Sequence, residues 1–405
     1  MKILHTSDWH LGRQLYGKKR EAEFQSFLNW LLSTLDKEAI EVLIVAGDVF
    51  DTSAPSHQSQ TQYYHFLTQV AQTTCRHVVI VAGNHDSPSF INAPKALLNT
   101  LNIYVVGHAS GDPSQEVLML RNAAQEVELI VCAVPYLRDR DIRTVSAGES
   151  VDDKAQKLIA GIQHYYDEIA AAAVAKQAKL PQKVPIVATG HLFTAGGVVQ
   201  ENDGVRDLYV GSLGHFPATL FPQAFDYVAL GHLHVPQKVA GLEHVRYCGS
   251  PIAMGFGEAK QQKQVVLISF RKGNLDSIQS LAVPCFQALA QIKGDWNEIE
   301  QQLNQCIASS QSIWVEVIYE GTDLVTDLRE RLHALTQASA VEILRIQNTR
   351  VKQQVLQATT PTESLDELKP EQVFERCLES HEIPEQQRLE LRSAFLEILD
   401  STTTL

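Results

Sequence analysis

Val42-Leu43-Ile44-Val45-Ala46-Gly47-Asp48 and Val78-Val79-Ile80-Val81-Ala82-Gly83-Asn84-His85-Asp86 follow one plan: an unbroken apolar run, a glycine, then side chains able to hold a cation. A strand that alternates apolar and polar residues hides one face. An unbroken apolar run hides both, as do strands of a parallel sheet covered by helices. Three more runs end the same way. Ile3-Leu4-His5-Thr6-Ser7 leads to Asp8 and His10, Pro185-Ile186-Val187-Ala188-Thr189-Gly190 to His191, and Tyr227-Val228-Ala229-Leu230-Gly231 to His232 and His234. Ligands gather beyond the C-terminal ends of strands in open α/β sheets. Gly47, Gly83, Gly190 and Gly231 let the backbone turn sharply there. Five such endings, all carboxylate, amide or imidazole, predict one shared two-metal site. Two-metal sites with mixed oxygen and nitrogen ligands cleave phosphate esters.

The chain has 405 residues, 44% of them hydrophobic, which predicts two or three domains with ordinary globular cores. No apolar run approaches the roughly 18 residues needed to cross a bilayer, so no membrane association is expected. The start, Met1-Lys2-Ile3-Leu4-His5-Thr6, enters a strand without a signal-peptide pattern. Six cysteines (Cys75, Cys132, Cys248, Cys285, Cys306, Cys377) form no CxxC pair and read as reduced thiols in a cytoplasmic protein. The net charge of −13 gives a polyanionic substrate no support from charge alone. The acidity is uneven: residues 361–405 hold eleven acidic and four basic side chains.

Along residues 1–275, buried strands alternate with helical stretches at Glu21–Leu35, Gln58–Gln72 and Val151–Ala178, predicting an α/β domain. Residues 283–347 read as a small β-α-β-α-β capping domain, with strands at Phe286–Lys293, Ser312–Tyr319 and Val341–Ile346 and helices at Trp296–Ala308 and Leu324–Thr336. Residues 348–369 form a polar linker. Residues 370–405 carry two short helices opened by Pro370 and Pro384. Their apolar stripes (Val373, Phe374, Cys377, Leu378; Leu391, Phe395, Ile398, Leu399) suit either packing on their own domain or docking a partner.

These motifs resemble the calcineurin-like metallophosphoesterases, and within them the SbcD family, the bacterial nuclease subunits that partner an SMC-like ATPase. The matching stretches are Met1–Gly12, Ala46–Thr52, Ala82–Ser87 and Tyr247-Cys248-Gly249-Ser250-Pro251. The resemblance is dense over the catalytic region and looser beyond it. It implies a calcineurin-like α/β fold, two β-sheets sandwiched between helices, with the capping domain and C-terminal helices appended. By motif, Asp8, His10, Asp48 and His234 are implied as ligands of one metal, and Asp48, Asn84, His191 and His232 as ligands of the other. A bridging carboxylate offers two oxygens and a full charge; imidazoles favour Mn, Fe, Zn or Co. Manganese is the expected metal, with magnesium serving in part. His85 is implied as the general acid or phosphate-stabilising group, Asp86 as a group orienting it or a ligand, and Asp51 as a supporting acid where archaeal and eukaryotic relatives have histidine. His232 and His234 lie two apart. In an extended segment they serve different metals, unless a bend brings both inward.

The function implied is a Mn-dependent DNA nuclease, a double-strand 3′–5′ exonuclease and single-strand or hairpin endonuclease. It would work with the SMC-like ATPase, docked through the C-terminal helices, as a homodimer within a heterotetramer in DNA end processing, recombination and replication. A small-molecule phosphodiesterase on the same core is the alternative. A protein phosphatase fits less well, because no arginine follows Asp48 in Val49-Phe50-Asp51-Thr52. A non-catalytic scaffold leaves the full set of ligand types unexplained. Arg138, Arg140 and Arg143 read either as phosphate contacts or, with the aspartates between them, as a solvated ion-pair loop.

Overall fold

The computed structural model describes residues 1–142, 149–194, 216–321 and 327–348, together with Phe374, Arg392 and Phe395. The first part of the chain runs β1 (Lys2–Thr6), α1 (Glu21–Lys37), β2 (Val42–Ala46), α2 (His57–Val70), β3 (His77–Val81), the short α3 (Pro88–Asn92) and α4 (Lys95–Asn99), and β4 (Ile103–Val106). Then come β5 (Val117–Arg121), β6 (Val127–Cys132), α5 (Asp139–Ile142), the long α6 (Val151–Gln177), β7 (Ile186–His191), β8 (Tyr227–Gly231), β9 (Gln237–Val239), β10 (Leu242–Tyr247), β11 (Gln264–Arg271) and β12 (Asn274–Ala282). The strands form two six-stranded sheets, ordered β12-β11-β1-β2-β3-β4 and β5-β6-β7-β8-β10-β9. β1 to β4 are mutually parallel, as are β6, β7, β8 and β10; antiparallel pairing closes every edge but that of β4.

The continuous apolar runs have a direct structural cause. Successive side chains of a strand face opposite ways. Ile3, Val42, Ile44, Val79 and Val81 turn inward against Leu129, Val131, Val187, Tyr227 and Ala229 of the second sheet. Their neighbours Leu4, Leu43, Val45, Val78 and Ile80 turn outward beneath α1 and α2, against Phe24, Phe27, Leu31, Phe66 and Leu67. On the far side, Ile130, Ile186, Ala188, Val228 and Leu230 lie beneath Leu158, Ile162, Tyr166 and Ile169 of α6. The result is four layers, helix–sheet–sheet–helix, with both faces of the central parallel strands dry. Tyr63, Phe66, Leu67 and Val70 of α2 are all buried in the first of these cores.

A buried polar contact crosses the inter-sheet layer: His5 Nδ1 and the Tyr227 hydroxyl lie 3.0 Å apart. Burial pushes His5 down to about 3, so the ring is neutral there. Cys75, Cys132 and Cys248 are buried free thiols, as expected, while Cys285 is exposed.

The first compact unit spans Met1–Ala290. The sequence reading closes this region near residue 275, but β12 pairs along the whole of β11, so the unit continues past it. The second unit begins at Gln291. Around it the sheet β13 (Ala288–Gly294), β14 (Ile313–Tyr319) and β15 (Val341–Asn348) packs with α7 (Trp296–Ala308) and α8 (Leu328–Thr336). Asp295 and Glu298 close a reciprocal capping box at the start of α7. The linker and C-terminal helices lie outside the described residues, except that Phe374 and Phe395, both helical, stack with ring centroids 4.0 Å apart.

Candidate active site

All five predicted endings meet at the C-terminal edge of the two sheets. The turn after β1 shows how. Asp8 and His10 take left-handed backbone angles, φ 52° and 48°. Trp9 between them faces the other way, into the core under α1 and α2, edge-on to Phe27 and Phe66 at 5.9 and 5.3 Å. The buried indole thus pins a strained turn that presents a candidate ligand on either side of it. The turn is tied to the loop after β2 by Asp8 N–H to Gly47 O (2.9 Å) and His10 N–H to Asp48 O (3.0 Å). Asp48 is itself left-handed, φ 50°.

The ending after β8 repeats the device. Leu233 is buried in the core beneath α6, and His232, at φ 102°, makes the bend. The two rings then part. His232 lies beside His191, with centroids 5.4 Å apart, and His234 lies beside His10, 5.1 Å apart. Of the two arrangements the sequence left open, the structure combines a bend with different neighbours.

The strand-end glycines leave room for this crowding. A Cβ on Gly83 would collide with Asp48 Oδ1, and one on Gly47 with the His191 ring.

Asp8, His10 and His234 form one cluster, and Asp8, Asp48 and His191 a second; within each, the candidate ligand atoms lie within 4.8 Å of one another. Asp48 Oδ2 sits between His191 Nε2 at 3.4 Å and His10 Nε2 at 3.6 Å. Asn84 joins through Oδ1, 2.9 Å from His191 Nε2. The donor chemistry fits divalent cations. His191 Nδ1 faces the Ala46 carbonyl at 3.0 Å and donates to it, while Nε2 faces the oxygens of Asn84 and Asp48, where a proton or a cation satisfies all three. His10 Nε2 and His234 Nε2 face each other at 3.1 Å. Either one ring donates to the other across this gap, or a cation between them takes both lone pairs. His232 Nε2 is buried with no hydrogen-bond partner among the described residues.

The electrostatics agree. Burial would raise Asp48, but the rings of His191, His10 and His85 outweigh it and hold the carboxyl well below the usual range. Burial would lower His191, yet the Asp48 carboxylate drives it up to about 9. Burial pushes Asp8 up and His10 down to about 4. Each first oxygen also takes a backbone donor: His232 N–H to Asp8 Oδ1 and His85 N–H to Asp48 Oδ1, both 2.9 Å.

His85 is buried beside His10, ring centroids 4.7 Å apart. Its Nδ1 faces the Asp51 carbonyl at 2.7 Å and donates to it, which leaves Nε2 outside that hydrogen bond. Asp51 also sets Oδ1 3.3 Å from His10 Nδ1, and Arg13 Nη1 lies 3.2 Å from that oxygen. Asp86 serves the backbone rather than a ring. It accepts the N–H groups of Gly83, Val49 and Phe50 at 2.8, 3.2 and 3.0 Å, which joins the loops carrying Asp48 and Asn84. Burial and the Asp48 charge raise it to about 7.

Glu258, Lys263 and Arg13 went unnoticed in the sequence. Glu258 sits 3.5 Å from His234 Nδ1 and is fully buried. It lies beyond the Tyr247–Pro251 motif with no periodicity to mark it. Arg140 makes an exposed pair with Asp141 at 3.7 Å, in keeping with the ion-pair reading of its loop; Arg143 lies outside the described residues.

Residues 1–236 match the family described as calcineurin-like phosphoesterase, and residues 285–382 match the type 5 capsule protein repressor C-terminal domain. The chain is 42% identical over its full length, and 98% of the relative's, to the SbcD polypeptide of the SbcCD nuclease of Escherichia coli K12. The chain belongs to the SbcD family of calcineurin-like metallophosphoesterases. The SbcD polypeptides of Rhodobacter capsulatus (30% identical; 92% of this chain, 93% of the relative) and Bacillus subtilis (28%; 84% and 83%) are also similar. Membership of the SbcD family implies a hydrolase that uses divalent metal ions. No helix among the described residues is long and apolar enough to cross a membrane.

Proposed function

We propose that this chain is the nuclease subunit of an SbcCD-type complex, hydrolysing DNA phosphodiesters with two divalent cations, manganese first. The observation that carries this reading is the convergence of carboxylate, amide and imidazole acceptors from five strand ends, in a chain alignable end to end with a nuclease subunit. In the proposed assignment, Asp8, His10, Asp48 and His234 hold one cation and Asp48, Asn84, His191 and His232 the other. Asp48, with His191 and His10 on either side of one oxygen, is suited to bridge them.

Bound cations would supply an activated water and charge for the phosphoryl oxygens. His85 Nε2 then protonates the departing sugar oxygen. The Asp51 carbonyl holds the ring for that transfer by fixing its Nδ1 proton. On this reading the enzyme is a double-strand 3′–5′ exonuclease and a single-strand or hairpin endonuclease. It works in the cytoplasm as a homodimer, and residues 370–405 dock an SMC-like ATPase.

The test is cleavage of end-labelled duplex and hairpin DNA by the pure chain with Mn²⁺, alone and with the ATPase, beside His85→Ala. Cleavage that falls about 10²- to 10⁴-fold in the variant at unchanged metal content supports the reading. DNA left intact under every condition, with small phosphodiesters hydrolysed instead, overturns it in favour of a small-molecule phosphodiesterase.

A further inference from the structure

Behind the ring of His234 lies a buried ion pair that contributes no candidate ligand. Glu258 Oε1 faces His234 Nδ1 at 3.5 Å. Its other oxygen, Oε2, is bonded by the Lys263 ammonium, by Met254 N–H at 3.0 Å and by the Ser250 hydroxyl at 3.4 Å. Lys263 also donates to the His234 carbonyl at 3.1 Å, Ser250 Oγ at 3.0 Å and Gln261 Oε1 at 3.1 Å. The pair therefore grips both the ring and the main chain of one residue. Taking two opposite charges out of water is costly, and apolar side chains of like volume often serve stability as well or better. Stability alone therefore does not account for the pair.

The arrangement on the other side suggests a further task. His10 has the same kind of support: Asp51 at Nδ1, with Arg13 on Asp51. The two supports join at one residue. Met254 donates its N–H to Glu258 and accepts at its carbonyl from Arg13 Nε at 3.3 Å. The contacts thus close a ring: His10, Asp51, Arg13, Met254, Glu258, His234, and back to His10 across the 3.1 Å gap between the two Nε2 atoms. His191, by contrast, rests on a neutral carbonyl. A carboxylate at Nδ1 fixes the ring's tautomer and orientation and raises the basicity of the opposite nitrogen.

We propose that Glu258 and Lys263 are positioning residues that hold His234, with Nε2 presented, for the cation it would share with His10. This inference rests on the metal assignment proposed above. Glu258→Gln keeps the shape and removes the charge.

The test is a Mn²⁺ titration of the full-length chain, followed by electron paramagnetic resonance without DNA, alongside thermal unfolding of the metal-free proteins. Expected is a loss of affinity of about 10- to 100-fold for one Mn²⁺ equivalent, with the second unchanged. Glu258→Gln/Lys263→Met removes both charges together and should show the same one-site loss, so a single variant that folds poorly leaves the test intact. Two equivalents bound as in the wild type overturn the proposal. So does a parallel weakening of both equivalents with a lowered unfolding temperature, which marks a structural role alone. A wild-type chain that binds no Mn²⁺ overturns the metal assignment itself.

Discussion

Strands β1, β2 and β3 deliver two carboxylates, an amide and two imidazoles, whereas β7 and β8 deliver imidazoles alone. The first group sits on strained backbone: Asp8, His10 and Asp48 are all left-handed, and Asp8 and Asp48 both accept backbone N–H groups. In the second group only His232 is left-handed, and His191 is still within its strand. One half is thus a carboxylate-bearing cradle fixed by main-chain geometry; the other closes over it with imidazole rings. Damage to the cradle should disturb everything the site holds, and damage to a ring should disturb only its own neighbour.

The strongest way to break this comparison is to set Asp48→Asn against His191→Gln. The cradle variant should lose both Mn²⁺ equivalents and at least about 10³-fold in phosphodiester hydrolysis, roughly 4 kcal/mol of transition-state stabilisation. The ring variant should lose one equivalent. Equal losses of metal, read by equilibrium dialysis, would erase the distinction.

Acid sharpens it next. Burial alone would raise Glu258, but the His234 ring and the Lys263 ammonium prevail and hold it down at about 2, from an ordinary 4.5. A carboxyl depressed on folding adds stability above its unfolded value, and that stability drains as pH falls from 4.5 through 2. The contribution is about 3 kcal/mol. Urea unfolding of the metal-free chain should therefore lose less stability between pH 5 and pH 2 in Glu258→Gln than in the wild type. Identical slopes would remove the effect.

The smallest effect is expected from Asp86→Asn, which leaves one carbonyl to serve three backbone N–H groups. Metal affinity should fall about 10-fold, at the mild end for an outer partner. An unchanged affinity would show that the loops keep their shape without this clasp.

How much of this was legible depended on how local the cause was. The buried strands and their ligand-bearing ends could be read from runs such as Val42–Asp48, because burial on both faces writes itself into consecutive residues. Runs alone gave buried α/β strands; the division into two sheets came from the resemblance. The placement of β11 beside β1 was not legible, because that pairing joins residues near the two ends of a long segment. The bend at His232 was ambiguous because His-x-His spacing suits either an extended or a turned backbone. Glu258 and Lys263 were invisible: their partners are His234, Ser250 and Met254, and nothing in a Gly-Phe-Gly-Glu turn announces a buried charge.

The interleaving of the sheets also sets an order of events in time. A ribosome that has released β1 to β4 has made Asp8, His10, Asp48, Asn84 and His85, but none of the closing rings. The last of these, His234, follows β8, and the strand that flanks β1, Gln264–Arg271, emerges later still. A growing or broken chain thus carries half a cation site with an open sheet edge. On the proposed assignment, hydrolytic competence arrives only after the two halves have met.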